Sequence, residues 1–237
     1  MVRKSNGDSH IDDEDEDEDT EEEHSLRQPK ILKERAILML SGMINNNHLG
    51  ICNELLAYHF RPDFNEPITL LINSPGGSCE IGWAIVDTMN FIRLPVNTVC
   101  IGCAASMAAD IFINGDHRVM GEHATLMIHQ HHSMNMGSHS RLIATLKGDV
   151  IEHNRRLQHY ITNSKYPNKQ QVEEHLLGVK GEDLYLDPQE CLNHGLIDEI
   201  AFSNKKDKRR KNPATGKGLL GQFARPITAS KSKTRSK

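Results

Sequence analysis

The sequence predicts an α/β fold with a largely parallel sheet. Short apolar runs alternate with amphipathic stretches of helical period, at the spacing of strand–helix–strand units. Two of those runs stop abruptly at small-residue turns, Ser74-Pro75-Gly76-Gly77 and Ala104-Ala105-Ser106, where a buried strand can feed directly into a helix.

Residues 36–40 (AILML), stopped by Ser41-Gly42, read as the first buried strand. Ile51, Leu55, Leu56 and Phe60 then recur at helical spacing and predict a helix over 49–60. The second strand is 68–73 (ITLLIN), and Ile81, Ala84, Ile85, Thr88, Met89 and Ile92 mark one face of the helix after it. A third strand, 96–101, runs straight into Ser106, and 106–114 can form a helix that starts at that serine. The apolar run 124–128 predicts another short strand, with His129 at its end. Leu142, Leu146, Val150, Leu157 and Ile161 predict a long helix ending near 163, with a charged or polar opposite face. Such a helix is either an arm that packs on another subunit or cover for its own domain. A short helix at 172–177, an extended segment at 181–186 and a helix at 188–194 follow, the last opened by Asp187-Pro188 and stopped by Gly195. The final strand is 196–201.

The net charge of -4 hides a division of charge along the chain. Residues 12–23 (DDEDEDEDTEEE) are nearly solid acid, and 205–237 are basic, starting with KKDKRRK. Like charges repel and bury nothing, so 1–29 and 203–237 are expected to be disordered, solvating segments around one domain at 30–202. The basic segment also allows contact with nucleic acid or an acidic partner, which ranks behind solvation. No run approaches the roughly 20 apolar residues of a membrane span. The first residues hold no apolar signal core, and their acidity argues against a transit peptide. Cys100 and Cys103 have CxxC spacing but no second pair, which argues against a zinc or redox site. Reduced thiols in a cytoplasmic compartment, or an organellar stroma or matrix, are the expectation.

The chemistry concentrates between Cys100 and Gln130. A serine becomes a nucleophile when a base takes its proton and backbone N–H groups receive the oxyanion. Ser106 stands among alanines that leave room for a substrate carbonyl, at a helix start whose N–H groups are unpaired. His129 ends the next strand and can supply the base. A serine at an alanine-rich helix start also serves as a plain N-cap, and the row His129, Gln130, His131, His132 raises metal binding. Adjacent strand residues point to opposite faces, so that row is a poor ligand set and no metal or other cofactor is expected. The Ser74–Gly77 turn either lets backbone approach a ligand or is simply tight; its spacing serves both. Candidate acids to orient the imidazole are Asp149, Asp183, Asp187 and Asp198. Asp149 lies within the long helix and Asp187 has the place of a helix cap, whereas Asp183, between a glycine-containing loop and an apolar trio, is free to turn inward.

Over about 34–200 the chain resembles ClpP, the proteolytic subunit of the ATP-dependent Clp protease. ERAILMLSGMI, PITLLINSPGGS with GWAIVDTMNFI, the CIGCAASMAA to LMIHQ block, and DLYLDPQECLNHGLIDEI carry the resemblance in order. It implies a ClpP/crotonase-type spiral of ββα units with a protruding handle helix at 140–163. It also implies a serine-type endopeptidase with Ser106 as nucleophile, His129 as base and Asp183 as orienting acid. Backbone N–H groups of Gly76 and Met107 would form the oxyanion hole. The implied assembly is a homo-oligomer of heptameric rings enclosing a chamber, fed with unfolded polypeptide by an AAA+ unfoldase such as a ClpX- or ClpA/C-like ATPase. Membrane and nucleic acid are not among the implied partners. Two alternatives share the fold: a phage or viral processing protease of the prohead type, and a non-catalytic ring subunit that regulates a partner ClpP. The chain departs from the family pattern at His131, which stands where proline is usual, at Glu182, where many members carry a ring-linking arginine, and at Asp110, behind the nucleophile where the family is apolar.

Overall fold

A computed structural model describes residues 30–130, 137–178 and 182–201. The expected acidic segment 1–29 and the whole of the expected basic segment, 203–237, lie outside the described residues, as do His131 and His132.

The elements run α1 (Lys30–Glu34), β1 (Ile37–Ser41), a 3-10 turn (Asn46–His48), α2 (Leu49–His59), β2 (Ile68–Ser74), α3 (Cys79–Phe91), β3 (Val96–Ala105) and α4 (Met107–Ile113). Then come β4 (His117–Gly121), β5 (Thr125–Ile128), α5 (His139–Asn163), α6 (Lys169–His175), β6 (Leu184–Leu186), α7 (Pro188–Asn193) and β7 (Glu199–Ala201). The sheet is parallel in the order β1-β2-β3-β4-β7, and β5 and β6 branch from it. This is the α/β architecture that the alternating pattern predicts.

The branch sets up the site. β3 is ten residues long and serves two partners in turn. Its first half pairs with β4, Asn97↔His117 to Cys100↔Met120. Its second half pairs with β5, Cys103↔Thr125 to Ala105↔Met127. Sequence pattern ends this strand near 101 because Gly102 and the alanines carry little strand propensity. Tertiary pairing overrides that: Gly102 adopts φ +86, and Asn73 caps the irregular register there by accepting the Cys103 N–H at 3.2 Å. β4 is the element the sequence pattern misses outright. His117 and Arg118 break its apolar run, and they meet Glu199 in β7 and Asp198 just before it.

The core lies between the sheet and the helices α2, α3 and α4. Leu38, Leu40, Leu70, Ile72, Ile85, Ile111, Phe112 and Leu126 are fully buried there. At about 1.5–3 kcal/mol per large apolar side chain, this cluster dominates the stability of the domain. α3 starts on Ser78, whose side chain accepts from the Ile81 N–H, and α7 starts on Asp187 with a complete capping box closed by Glu190. Asp187 is therefore a cap, as its place before Pro188 predicts.

The long helix divides in two. Its C-terminal part packs on its own domain and buries Arg156, Leu157 and Tyr160. Its N-terminal part exposes Ile143, Leu146, Val150 and Ile151, each more than half accessible. Arg156 is charged, as the predicted polar face requires, yet it is buried. No described helix is long and apolar enough to cross a membrane.

Candidate active site

Parallel pairing brings the predicted nucleophile and base together. β3 and β5 run side by side with Ala105 opposite Met127, so the residues just past their C-terminal ends are neighbours. The Ser106 N–H continues the ladder by donating to the Met127 carbonyl at 2.9 Å. His129 Nε2 then lies 2.7 Å from Ser106 Oγ, a hydrogen bond in which the hydroxyl donates when Nε2 is unprotonated.

The turn at Ser106 is strained. Its φ is +55 and its ψ is -126. A non-glycine residue there costs about 1–3 kcal/mol, and the same turn lets β3 reverse at once into α4. The strain holds Oγ off the helix: Ser106 occupies the position before Met107, yet its side chain caps no N–H group. The N-cap reading of this serine therefore fails, and the hydroxyl points to the histidine instead.

Ser74 to Ser78 forms the opposite wall. Ser74 Oγ donates to the Gly42 carbonyl at 2.6 Å and accepts the Gly76 N–H at 3.1 Å. Gly76 has φ +94, and a Cβ added to it would stand 2.6 Å from the Ala105 carbonyl oxygen, 2.7 Å from Ser106 Cβ and 3.1 Å from the Met107 nitrogen. Glycine is thus required here for close approach to the nucleophile. The Gly76 N–H, expected to be an oxyanion donor, is already engaged by Ser74. Ile44 bridges to the turn through the Gly76 carbonyl and the Ser78 N–H, which leaves the Gly77 N–H without an acceptor among the described residues. The Met107 N–H, at the first position of α4, is likewise without one among the described residues.

Asp183 is close in register but not engaged. β6 runs antiparallel to β5, and their ladder ends with Leu184 opposite Ile128, so Asp183 and His129 are the residues that flank its last pair. Its side chain is exposed, and among the described residues no hydrogen bond joins it to the imidazole. Asp198 is taken by Arg118, which donates to both carboxylate oxygens at 2.8 and 3.0 Å.

Sequence reasoning missed one charged group at the site. Arg156 Nε lies 2.9 Å from Asp110 Oδ2, and Arg156 Nη1 donates to the His129 carbonyl at 3.0 Å. Both side chains are almost wholly buried, 4% and 1% exposed. Burial alone lowers the arginine pKa, but the Asp110 carboxylate outweighs it and raises the value above the ordinary one. The Tyr160 hydroxyl lies against the same pair, and burial raises its pKa well above the usual phenol range, so it stays neutral. Asp110, a carboxylate inside an apolar helix, was the signal that demanded a buried cation. The thiols nearby are inert. Burial pushes Cys100 up to about 12 and raises Cys103 and Cys79.

A family model described as Clp protease matches residues 19–204, a span that contains every residue of this site. The matched family is in general one of serine peptidases that assemble as oligomeric rings, and the mixed α/β fold with its mostly parallel sheet is of the ClpP type. The chain belongs to the Clp protease family.

Proposed function

We propose that this chain is a serine endopeptidase that cleaves unfolded polypeptide inside an oligomeric chamber. The observation that carries the reading is the 2.7 Å contact between Ser106 Oγ and His129 Nε2, made by a serine held in a strained turn at the end of β3. In the acylation step Ser106 Oγ attacks the scissile carbonyl while His129 Nε2 takes its proton. The protonated imidazole then gives that proton to the leaving amine, and the C–N bond breaks. In deacylation His129 takes a proton from water as its oxygen attacks the acyl carbon, the C–Oγ bond then breaks, and the imidazolium returns the proton to Ser106 Oγ.

Met107 N–H, beside the nucleophile, is assigned as one oxyanion donor. Gly77 N–H is assigned as the second in place of Gly76, whose N–H is bound to Ser74 Oγ. Each such donor is worth on the order of 10²–10³ in rate. Asp183, next to the last β5–β6 pair as His129 is, is assigned to hold the imidazole tautomer by turning its carboxylate inward. The exposed apolar residues of the first half of α5 support packing between rings, and delivery by an AAA+ ATPase follows from the same family reading. Five free cysteines accord with a reducing compartment such as the cytoplasm.

Labelling the full-length protein with a fluorophosphonate, read by peptide mass spectrometry, tests the assignment. Modification of Ser106 in the wild type and its loss in His129→Ala are expected, together with loss of peptide cleavage in Ser106→Ala. Intact cleavage by Ser106→Ala refutes the mechanism. A second reading, a ring subunit without catalysis of its own, draws on the exposed and unengaged carboxylate of Asp183. Stable rings that no fluorophosphonate labels would select it.

A further inference from the structure

The buried pair Asp110–Arg156 plays no part in the bond-making steps above. Two charges taken out of water are costly, and an apolar pair of the same volume stabilises a fold as well or better. What the pair adds is direction. A guanidinium is planar and rigid, so a carboxylate paired at one edge and an acceptor bonded at another are held in fixed relative placement. Here Nε stands in ion-pair contact with the Asp110 carboxylate, without hydrogen-bond alignment, while Nη1 donates a hydrogen bond, and the two groups so held lie on the two halves of the proposed catalytic pair. Asp110 lies one helical turn after Ser106 and donates its N–H to the Ser106 carbonyl at 3.3 Å, alongside the Ala109 N–H at 2.9 Å. The other group is the His129 carbonyl itself.

His129 needs such a hold. β5 ends at Ile128, and the last paired position on its β3 side is Met127. The base therefore stands just beyond the strand, where the ladder no longer constrains it. We propose that Arg156 is a positioning residue for His129: anchored by Asp110 on α4, it holds the His129 carbonyl and thereby sets the distance between base and nucleophile. The contacts form a closed loop from Ser106 along α4 to Asp110, through Arg156 to the His129 backbone, and back through the imidazole to Ser106 Oγ. Because Arg156 sits on α5, the long helix is tied to the geometry of the site. The rest of that helix keeps independent anchors: His159 Nε2 donates to the Asp110 carbonyl at 2.8 Å, and Leu157 and Tyr160 are buried. This inference rests on the protease reading for its kinetic consequence but not for its geometric one.

The test uses the full chain carrying Arg156→Lys, and a second variant in which Asp110→Leu and Arg156→Met replace the pair by apolar side chains. Lysine compensates the Asp110 charge but has a single ammonium and cannot also reproduce the fork. Both variants are expected to melt cooperatively. Fluorophosphonate labelling of Ser106 should slow by on the order of 10²-fold, the consequence of misplacing a reacting group by about 1 Å. With a peptide substrate, kcat should fall while KM stays within about twofold, since a ground-state contact is not removed. In crystals of Arg156→Lys the Ser106 Oγ to His129 Nε2 distance should open beyond about 3.5 Å, where no hydrogen bond remains. Wild-type labelling rates and an unchanged distance in a folded variant overturn the proposal. If the wild type itself is not labelled, the protease reading fails, and the crystal distance alone decides: an opened distance supports the positioning role, and an unchanged one overturns it.

Discussion

Gly76→Ala puts a methyl group into the narrowest part of the site. The native φ of +94 is a region that L side chains rarely adopt, so the backbone alone costs about 1–2 kcal/mol. Sterics add more. The new Cβ would lie 2.6 Å from the Ala105 carbonyl oxygen and 2.7 Å from Ser106 Cβ. Neither neighbour is the tip of a long side chain that can rotate away: one is backbone in β3, the other is the root of the nucleophile. The turn must therefore move, pulling on the Gly76 N–H to Ser74 Oγ bond and on the Ile44 N–H bond to the Gly76 carbonyl. Even a turn that relaxes fully leaves the methyl near the Met107 nitrogen, 3.1 Å away before relaxation. Screening that donor from a developing oxyanion should slow acylation by about 10²–10³. The assay is the second-order rate of fluorophosphonate labelling at Ser106, with a thermal melt on the same preparation. Gly148→Ala is the control, because a Cβ there meets nothing within 4 Å. Labelling of Gly76→Ala within about threefold of wild type would refute both the close approach of this turn and the donor role of Met107.

Gly148→Ala itself removes a glycine from the interior of α5 and should stabilise the protein by about 1 kcal/mol, measured by denaturant titration with labelling unchanged. Asp110→Ala leaves the buried Arg156 without its counter-charge and should cost about 3–5 kcal/mol, lowering the melting temperature by roughly 6–20 °C. His159 is half-buried beside Asp110 and Arg156, and this burial lowers its pKa below 6.5. The unfolded chain then takes up this proton first, so native stability falls as pH drops from 6.5 toward the lower folded value. His159→Gln should shrink the stability loss between pH 7.5 and pH 5.5 (about one unit on either side of an ordinary histidine), measured as denaturant midpoints at both pH values. Partial burial pushes the Asp198 carboxyl up, but the Arg118 hydrogen bonds outweigh it and hold it below its ordinary 3.8. The stabilisation is present above that value and lost as pH falls through the folded one, so Arg118→Ala should flatten the acid limb of the melting profile below about pH 4.

Most of the fold was legible because its strands are short apolar runs that stop at small-residue turns. β1, β2 and β5 fall within a residue or two of where the pattern puts them, since each is a short apolar run whose residues are mostly buried or half-buried. β4 was illegible for a matching reason: two of its five residues, His117 and Arg118, face the charged partners Glu199 in β7 and Asp198 just before it, and local pattern reads them as loop. The second half of β3 hides behind Gly102 and a run of alanines. Only the pairing with β5, more than twenty residues away in sequence, makes it a strand.

The site divides along the same line between local and distant signals. Ser106 and His129 each end an apolar run, so each could be proposed from its own neighbourhood, while their contact depends on the register of two strands that sequence does not report. Asp183 stands out in the sequence for its place between a glycine-containing loop and an apolar trio; the structure sets it beside the end of the β5–β6 ladder, exposed and not bonded to His129. Arg156 lay beyond local reading altogether. Next to Arg155 on a helix face rich in charge, it looks like solvent-facing surface, and Arg155 does stay there, paired with Glu152. What separates the two arginines is Asp110, some forty-five residues earlier in the chain. A carboxylate among Ala108, Ala109, Ile111 and Phe112 has to be compensated where α4 is buried. The compensating cation can come only from an element packed on that helix, and α5 is such an element. A charge placed against the local pattern is thus informative about a partner elsewhere, and here it leads to the residue that touches the backbone of the proposed base.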